Sequence, residues 1–118
     1  MIDDPARTKE LIGRMEAQVP IPARPTSSLV RVMRDKGAKF SRDRILYIKR
    51  IFYGGDEGGI LCDVTPSEES TEAYVVSLTH LEIPSRHPLA REIRAYQRER
   101  VRRIRAAGSS SQSRSPES

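Results

Sequence analysis

Five arginines, Arg91, Arg94, Arg98, Arg102 and Arg105, recur at steps of three and four residues near the C-terminal end of this 118-residue chain. On a helix turning about 100° per residue they fall within a sector of about 80° and form a stripe about 21 Å long. Guanidinium is a planar fork of donors matched to phosphate and carboxylate oxygens, so the pattern suits ionic recognition and not bond making. Like charges at these spacings repel by about 0.2–0.5 kcal/mol a pair, and the two acids of the same stretch, Glu92 and Glu99, sit off the stripe. A polyanion converts that repulsion into binding, because each neutralised phosphate releases condensed counterions. Arg42, Arg44, Lys49 and Arg50 form a second basic group, of which Arg44, Lys49 and Arg50 extend the expected surface. Tyr47, Phe52 and Tyr53 beside them offer stacking platforms for single-stranded bases, although strand aromatics more often belong to a core.

Other reactive residue types are sparse. His80 and Glu82 are two apart, so on a strand they share a face, as half of an acid–base or metal pair would. His80-Leu81-Glu82 resembles the first half of the zinc deaminase signature, but the Pro-Cys-x-x-Cys half is absent and no zinc cage can close. His80 therefore reads as a strand-end residue near solvent, and His87, just before Pro88, as part of a helix N-cap region. Cys62 is the single cysteine, which excludes an internal disulfide; between Ile60 and Val64 it reads as a small buried hydrophobe.

Tyr53-Gly54-Gly55-Asp56-Glu57 resembles the signature stretch of the diguanylate cyclases, the GGDEF domains, over those five residues only. Gly58 stands where that family has Phe, no aspartate-rich metal motif precedes it, and the family's domain is considerably longer. The segment reads instead as a glycine-rich hairpin with an acidic tip. Neither a P-loop nor a dinucleotide-binding glycine pattern occurs, since the glycines lead into a strand. The sequence thus predicts no enzyme, no cofactor and no metal.

The elements that must position the arginines follow from spacing and punctuation. Asp4-Pro5 opens a helix over about 4–18, with Leu11, Ile12 and Met15 on its apolar side. Val19 to Pro25 holds three prolines, at 20, 22 and 25, and reads as an extended, stiff connector. Thr26, Ser27 or Ser28 caps a second helix whose apolar face carries Leu29, Val32 and Met33 and which Gly37 ends. A first strand runs from Arg44 to Tyr53 and a second, alternating Ile60, Cys62 and Val64 with Leu61, Asp63 and Thr65, follows the glycine turn. A third runs from Tyr74 to about Ile83. The longest helix runs from Leu89 to about Ala106, with Gly108 as its stop. Its apolar sector, Leu89, Ala90, Ile93, Tyr96, Val101 and Ile104, packs on the sheet.

The expected fold is α+β, a three-stranded antiparallel β-meander covered by N-terminal helices and a long C-terminal helix, as one domain over 1–107 with a disordered Ser-rich tail over 108–118. Charge is segregated along it: residues 1–50 carry a net +6, residues 51–85 a net −7 and residues 86–118 a net +6, giving +5 overall. No stretch reaches the roughly 20 apolar residues of a membrane span, and Met1 to Pro5 is acidic where a signal peptide is basic and then apolar. The expected place is the cytoplasm, with no membrane partner. The function expected from this pattern is nucleic-acid binding, RNA ahead of DNA, through the basic C-terminal helix. The alternative is a protein-interaction or regulatory adaptor, the same helix docking an acidic partner or a second copy in a homodimer.

Overall fold

In the computed structural model, which describes residues 3–37, 41–65 and 73–114 and gives 108–114 as backbone, the Asp4 carboxylate accepts from the amides of Ala6 (3.0 Å) and Arg7 (3.3 Å). That cap and the proline behind it start helix α1 (Pro5–Glu16), which buries Thr8, Leu11 and Met15. The Thr26 hydroxyl likewise accepts from Leu29 N–H at 3.3 Å and starts α2 (Ser27–Asp35). Leu29, Val30 and Met33 are its buried residues, whereas Val32, expected beside them, is 45% exposed.

The expected meander is present as strands β3 (Arg50–Tyr53), β4 (Ile60–Asp63) and β5 (Val75–Ser77), antiparallel and paired in chain order. A second three-stranded antiparallel sheet, which the sequence did not lead us to expect, has the order β2-β1-β6. Its central strand β1 (Ile21–Pro25) is the proline-rich segment read as a connector, flanked by β2 (Leu46–Ile48) and β6 (Leu81–Glu82). Prolines fit there because successive residues face opposite neighbours. Pro22 faces the β6 side, where pairing begins only at Arg24, and Pro25 faces the β2 side, where pairing ends at Ala23. Neither position has a ladder bond to donate.

Both long strands of the sequence reading are divided between the sheets. The Arg44 to Tyr53 run breaks at Lys49, whose amide donates to the Asp63 carbonyl at 2.9 Å, into β2 and β3. The Tyr74 to Ile83 run breaks at a 3-10 turn, Leu78–His80, into β5 and β6. The glycine turn is not a plain loop either: it holds one helical turn, α3 (Gly55–Gly58), between Gly54 and Gly59.

The core lies between the two sheets and the helices, with Met15, Ile21, Ile48, Ile60, Leu78 and Ile93 among its fully buried side chains. Helix α4 (Ala90–Arg114) continues through Gly108, where the sequence placed its end; residues 115–118 of the expected tail lie outside the described residues. Ala90 and Ile93 of α4 pack into the core with Leu89 ahead of it, but Val101 is half-buried and Ile104 is 42% exposed, so the expected apolar sector is covered only over its first turns. Among the described residues Arg100 is the last buried one, and beyond it Val101 and Arg103 are half-buried and Arg102 and Ile104 to Ala107 are exposed. No helix among the described residues is long and apolar enough to cross a membrane.

Candidate nucleic-acid interface

The stripe forms on α4 as the spacing requires, with Arg91, Arg94, Arg98, Arg102 and Arg105 all exposed. Their electrostatic situations differ. Arg91, Arg98 and Arg105 have no ion-pair partner among the described residues. Arg94 donates to the carbonyl of Ile83 at 3.3 Å, which leaves its charge uncompensated but fixes its head. Arg102 is paired with Glu99, an acid expected to stay off the stripe, and Arg103 bonds the same carboxylate at 2.7 Å. Those two guanidinium groups hold the Glu99 carboxyl below its ordinary range, and Glu99 in return raises Arg102. The other helix acid, Glu92, is engaged by Arg14 of α1 at 2.7 Å. Both carboxylates expected to flank the stripe are therefore occupied, one of them by a stripe member.

Arg44, Lys49 and Arg50 of the second basic group are exposed. Lys49 and Arg50 sit at the β2–β3 junction facing Asp63 of β4, with Arg50 Nε 3.8 Å from its carboxylate. Burial alone would raise the Asp63 carboxyl; hydrogen bonds from Thr65, then the charges of Arg50 and Lys49, outweigh it and lower it. The Arg50 side chain stays 75% exposed beside that carboxylate. Arg44 lies in the approach to β2, directly before Ile45, which lines a groove beside α4.

That groove, about 720 Å³, is formed by the outer face of the β2-β1-β6 sheet, the Pro84 to His87 turn and the first half of α4. Arg24, Arg86 and Arg94 line it. Its carboxylate, Glu82, is held by Arg42 through both oxygens at 3.1 Å. Neither Arg24 nor Arg86 has an ion-pair partner among the described residues. His87 Nδ1 accepts from Leu89 N–H at 3.0 Å, as its expected capping place implies, so its ring proton lies on Nε2 when the imidazole is neutral. Gln97 joins this groove to a shallower one of about 390 Å³ lined by Arg98, Val101, Arg102 and Arg105. Sequence reasoning missed Arg24 and Arg86. The signal for Arg24 was present, since Ile21, Ala23 and Pro25 alternate with Pro22 and Arg24 in a strand-like period.

The other candidates do structural work. His80 lines a groove with α2 and β5, while Glu82 lines the basic groove and is spoken for by Arg42, so the two do not form a pair. Cys62 is fully buried, and burial pushes its thiol up to about 12. The Asp56 carbonyl in α3 accepts from Arg100 Nη2 at 2.6 Å, so the segment that resembles a cyclase signature is fastened onto α4. Among the described residues no three His, Cys, Asp or Glu side chains gather as a metal site would require. Comparison with protein-family models, with curated proteins and with solved structures finds no match to this chain.

Proposed function

We propose that this chain is a nucleic-acid-binding module, with RNA ahead of DNA, and that the outer face of α4 is its phosphate-contacting surface. One observation carries the reading: Arg91, Arg98 and Arg105 stand exposed and unpaired among the described residues, while the acids nearest them already have partners. Guanidinium groups in that state gain most from a polyphosphate, which supplies oxygens at close spacing and releases counterions on contact. The exposed strand aromatics favour RNA, whose recognised bases are commonly unstacked.

The test is binding of labelled single-stranded and duplex oligonucleotides at several salt concentrations by the native protein and by Arg98→Glu/Arg105→Glu. Affinity should fall as salt rises and collapse on charge reversal. Binding that is absent, or insensitive to both, removes the reading. A second reading has its own support in Val101 and in Ile104, 42% exposed among the same arginines. An acidic amphipathic helix, or a second copy, would cover both the apolar and the charged groups there. Ile104→Ser separates the two: it should weaken protein association and leave oligonucleotide binding intact.

A further inference from the structure

We infer that the groove over the outer face of the β2-β1-β6 sheet is part of a single-strand site, in which Tyr47, next to the groove-lining Pro22 on the same sheet face, stacks a base while Arg24, Arg86 and Arg94 in the groove hold the adjoining phosphates; this rests on the reading above and narrows its ligand. The register sets the arrangement. Tyr47 pairs with Pro22, so their side chains share a face, and Ile45, just ahead of β2, lines the groove together with Arg24. Between buried Leu46 and Ile48, Tyr47 turns outward and is 49% exposed, and Ile45 is 48% exposed. Two large side chains facing solvent, Ile45 in the arginine-lined groove and Tyr47 next to its Pro22 wall, are a costly surface, and a nucleotide covers ring, aliphatic and charged groups together.

The shape argues for a strand and against a duplex. Helix α4 alone is a convex rod that any phosphate backbone can follow. The groove of about 720 Å³ is concave, within the roughly 300–1,000 Å³ of clefts that enclose small ligands, and has apolar walls at Pro22 and Ile45. Bases in a duplex keep their faces stacked on one another, so only an unpaired strand can offer a face to Tyr47. The pairing of Glu82 with Arg42 offsets the one carboxylate that lines the groove among the described residues. Arg94 belongs both to the groove and to the stripe, so a strand leaving the groove continues onto Arg98 by way of Gln97.

The experiment compares a labelled single strand with the duplex of the same sequence, using native protein, Tyr47→Ala, Tyr47→Phe, Arg24→Glu/Arg86→Glu and Arg98→Glu/Arg105→Glu, with thermal melts to show that each variant is folded. Tyr47→Ala should weaken the single strand by roughly tenfold and leave the duplex unchanged, and Tyr47→Phe, which keeps the ring face, should bind as native does. Arg24→Glu/Arg86→Glu should erase the preference for the single strand. If those variants bind the strand as native does while Arg98→Glu/Arg105→Glu weakens it, the groove inference falls and the α4 reading stands. Native preference for duplex, or displacement of the strand by polyglutamate as effective as by an unlabelled strand, overturns it as well. Failure of native protein to bind either oligonucleotide overturns both.

Discussion

Arg100 and Asp3, ninety-seven positions apart, meet in a buried ion pair: Nη1 donates to both carboxylate oxygens, at 3.1 and 3.0 Å, and each side chain is 2% exposed. Two tyrosines join the pair. The hydroxyls of Tyr53 and Tyr96 donate to the same Asp3 oxygen at 3.1 and 3.2 Å, and Tyr96 also accepts from Ile60 N–H at 2.8 Å. Burial first, and the Asp3 charge after it, raises both phenols. Arg100 thereby ties the segment ahead of α1, the α3 turn and α4 into one unit, and fixes the point from which the basic face of α4 departs.

Arg100→Ala should destabilise the fold by about 3–5 kcal/mol, the usual cost of leaving a buried charge without its partner. Arg100→Lys should recover only part of that, because one ammonium cannot reach both the Asp3 carboxylate and the Asp56 carbonyl. Urea unfolding gives both values. Asp3→Leu/Arg100→Met should cost less than the sum of the Asp3→Leu and Arg100→Met costs, since no unpaired charge remains; simple additivity would show that the pair is not coupled.

A second prediction concerns how closely the glycine turn approaches that pair. Gly59 has φ +64, and a Cβ there would overlap the Tyr96 hydroxyl and lie 2.7 Å from Arg100 Nε. Gly55 has φ +72 with nothing within 4 Å of the same atom. Gly55→Ala should therefore cost only the left-handed backbone penalty, about 1–2 kcal/mol, and Gly59→Ala distinctly more, because overlap adds to strain. Equal effects in denaturant melts would mean that the contact relaxes freely.

The same residues show how much of the molecule was legible in the sequence. Caps and periodicity place α1, α2, α4 and the meander because those signals are local: Asp4 and Thr26 bond amides two or three residues away. The second sheet was not legible, since its strands are two to five residues long and its pairings join β1 to positions such as Ile48 and Glu82. Rules about proline also argue against a strand unless the unpaired sides are known. The stripe could be read from spacing, but Glu99 reaching Arg102 is a matter of rotamer, and nothing in the spacing singles out Arg100. Its burial depends on Asp3 and Asp56, which no local pattern links to it.

Alkaline pH should weaken the fold through Cys62. Its thiol titrates near 9.0 when unperturbed and is pushed up to about 12 by burial. Between those values the unfolded chain releases a proton that the native state retains, so stability falls as pH rises, by up to about 1.4 kcal/mol per pH unit. Below pH 9 the contribution is flat. Cys62→Ala should remove the slope between pH 9 and 10, before the tyrosines of the unfolded chain add their own. Thiol labelling of native protein should be slow until the fold opens; rapid labelling at pH 8 would contradict the burial.

The internal pairing of Glu99 yields a prediction whose sign distinguishes an interface from an ordinary solvated face. Glu99 holds Arg102 in place, at the point where the stripe passes beyond the buried part of α4. Replacing it by an uncharged isostere, Glu99→Gln, should release Arg102 for phosphate and tighten oligonucleotide binding at low salt. The slope of log affinity against log salt should steepen by about 0.9 on duplex DNA and about 0.7 on a single strand for that one added contact. Glu92→Gln, which frees Arg14 on α1 instead, should leave the slope where it was, because Arg14 is not part of the stripe. A removed acid raises net charge in both variants equally, so a general charge effect would move the two together. Only a ligand lying along Arg98, Arg102 and Arg105 responds to Glu99 alone.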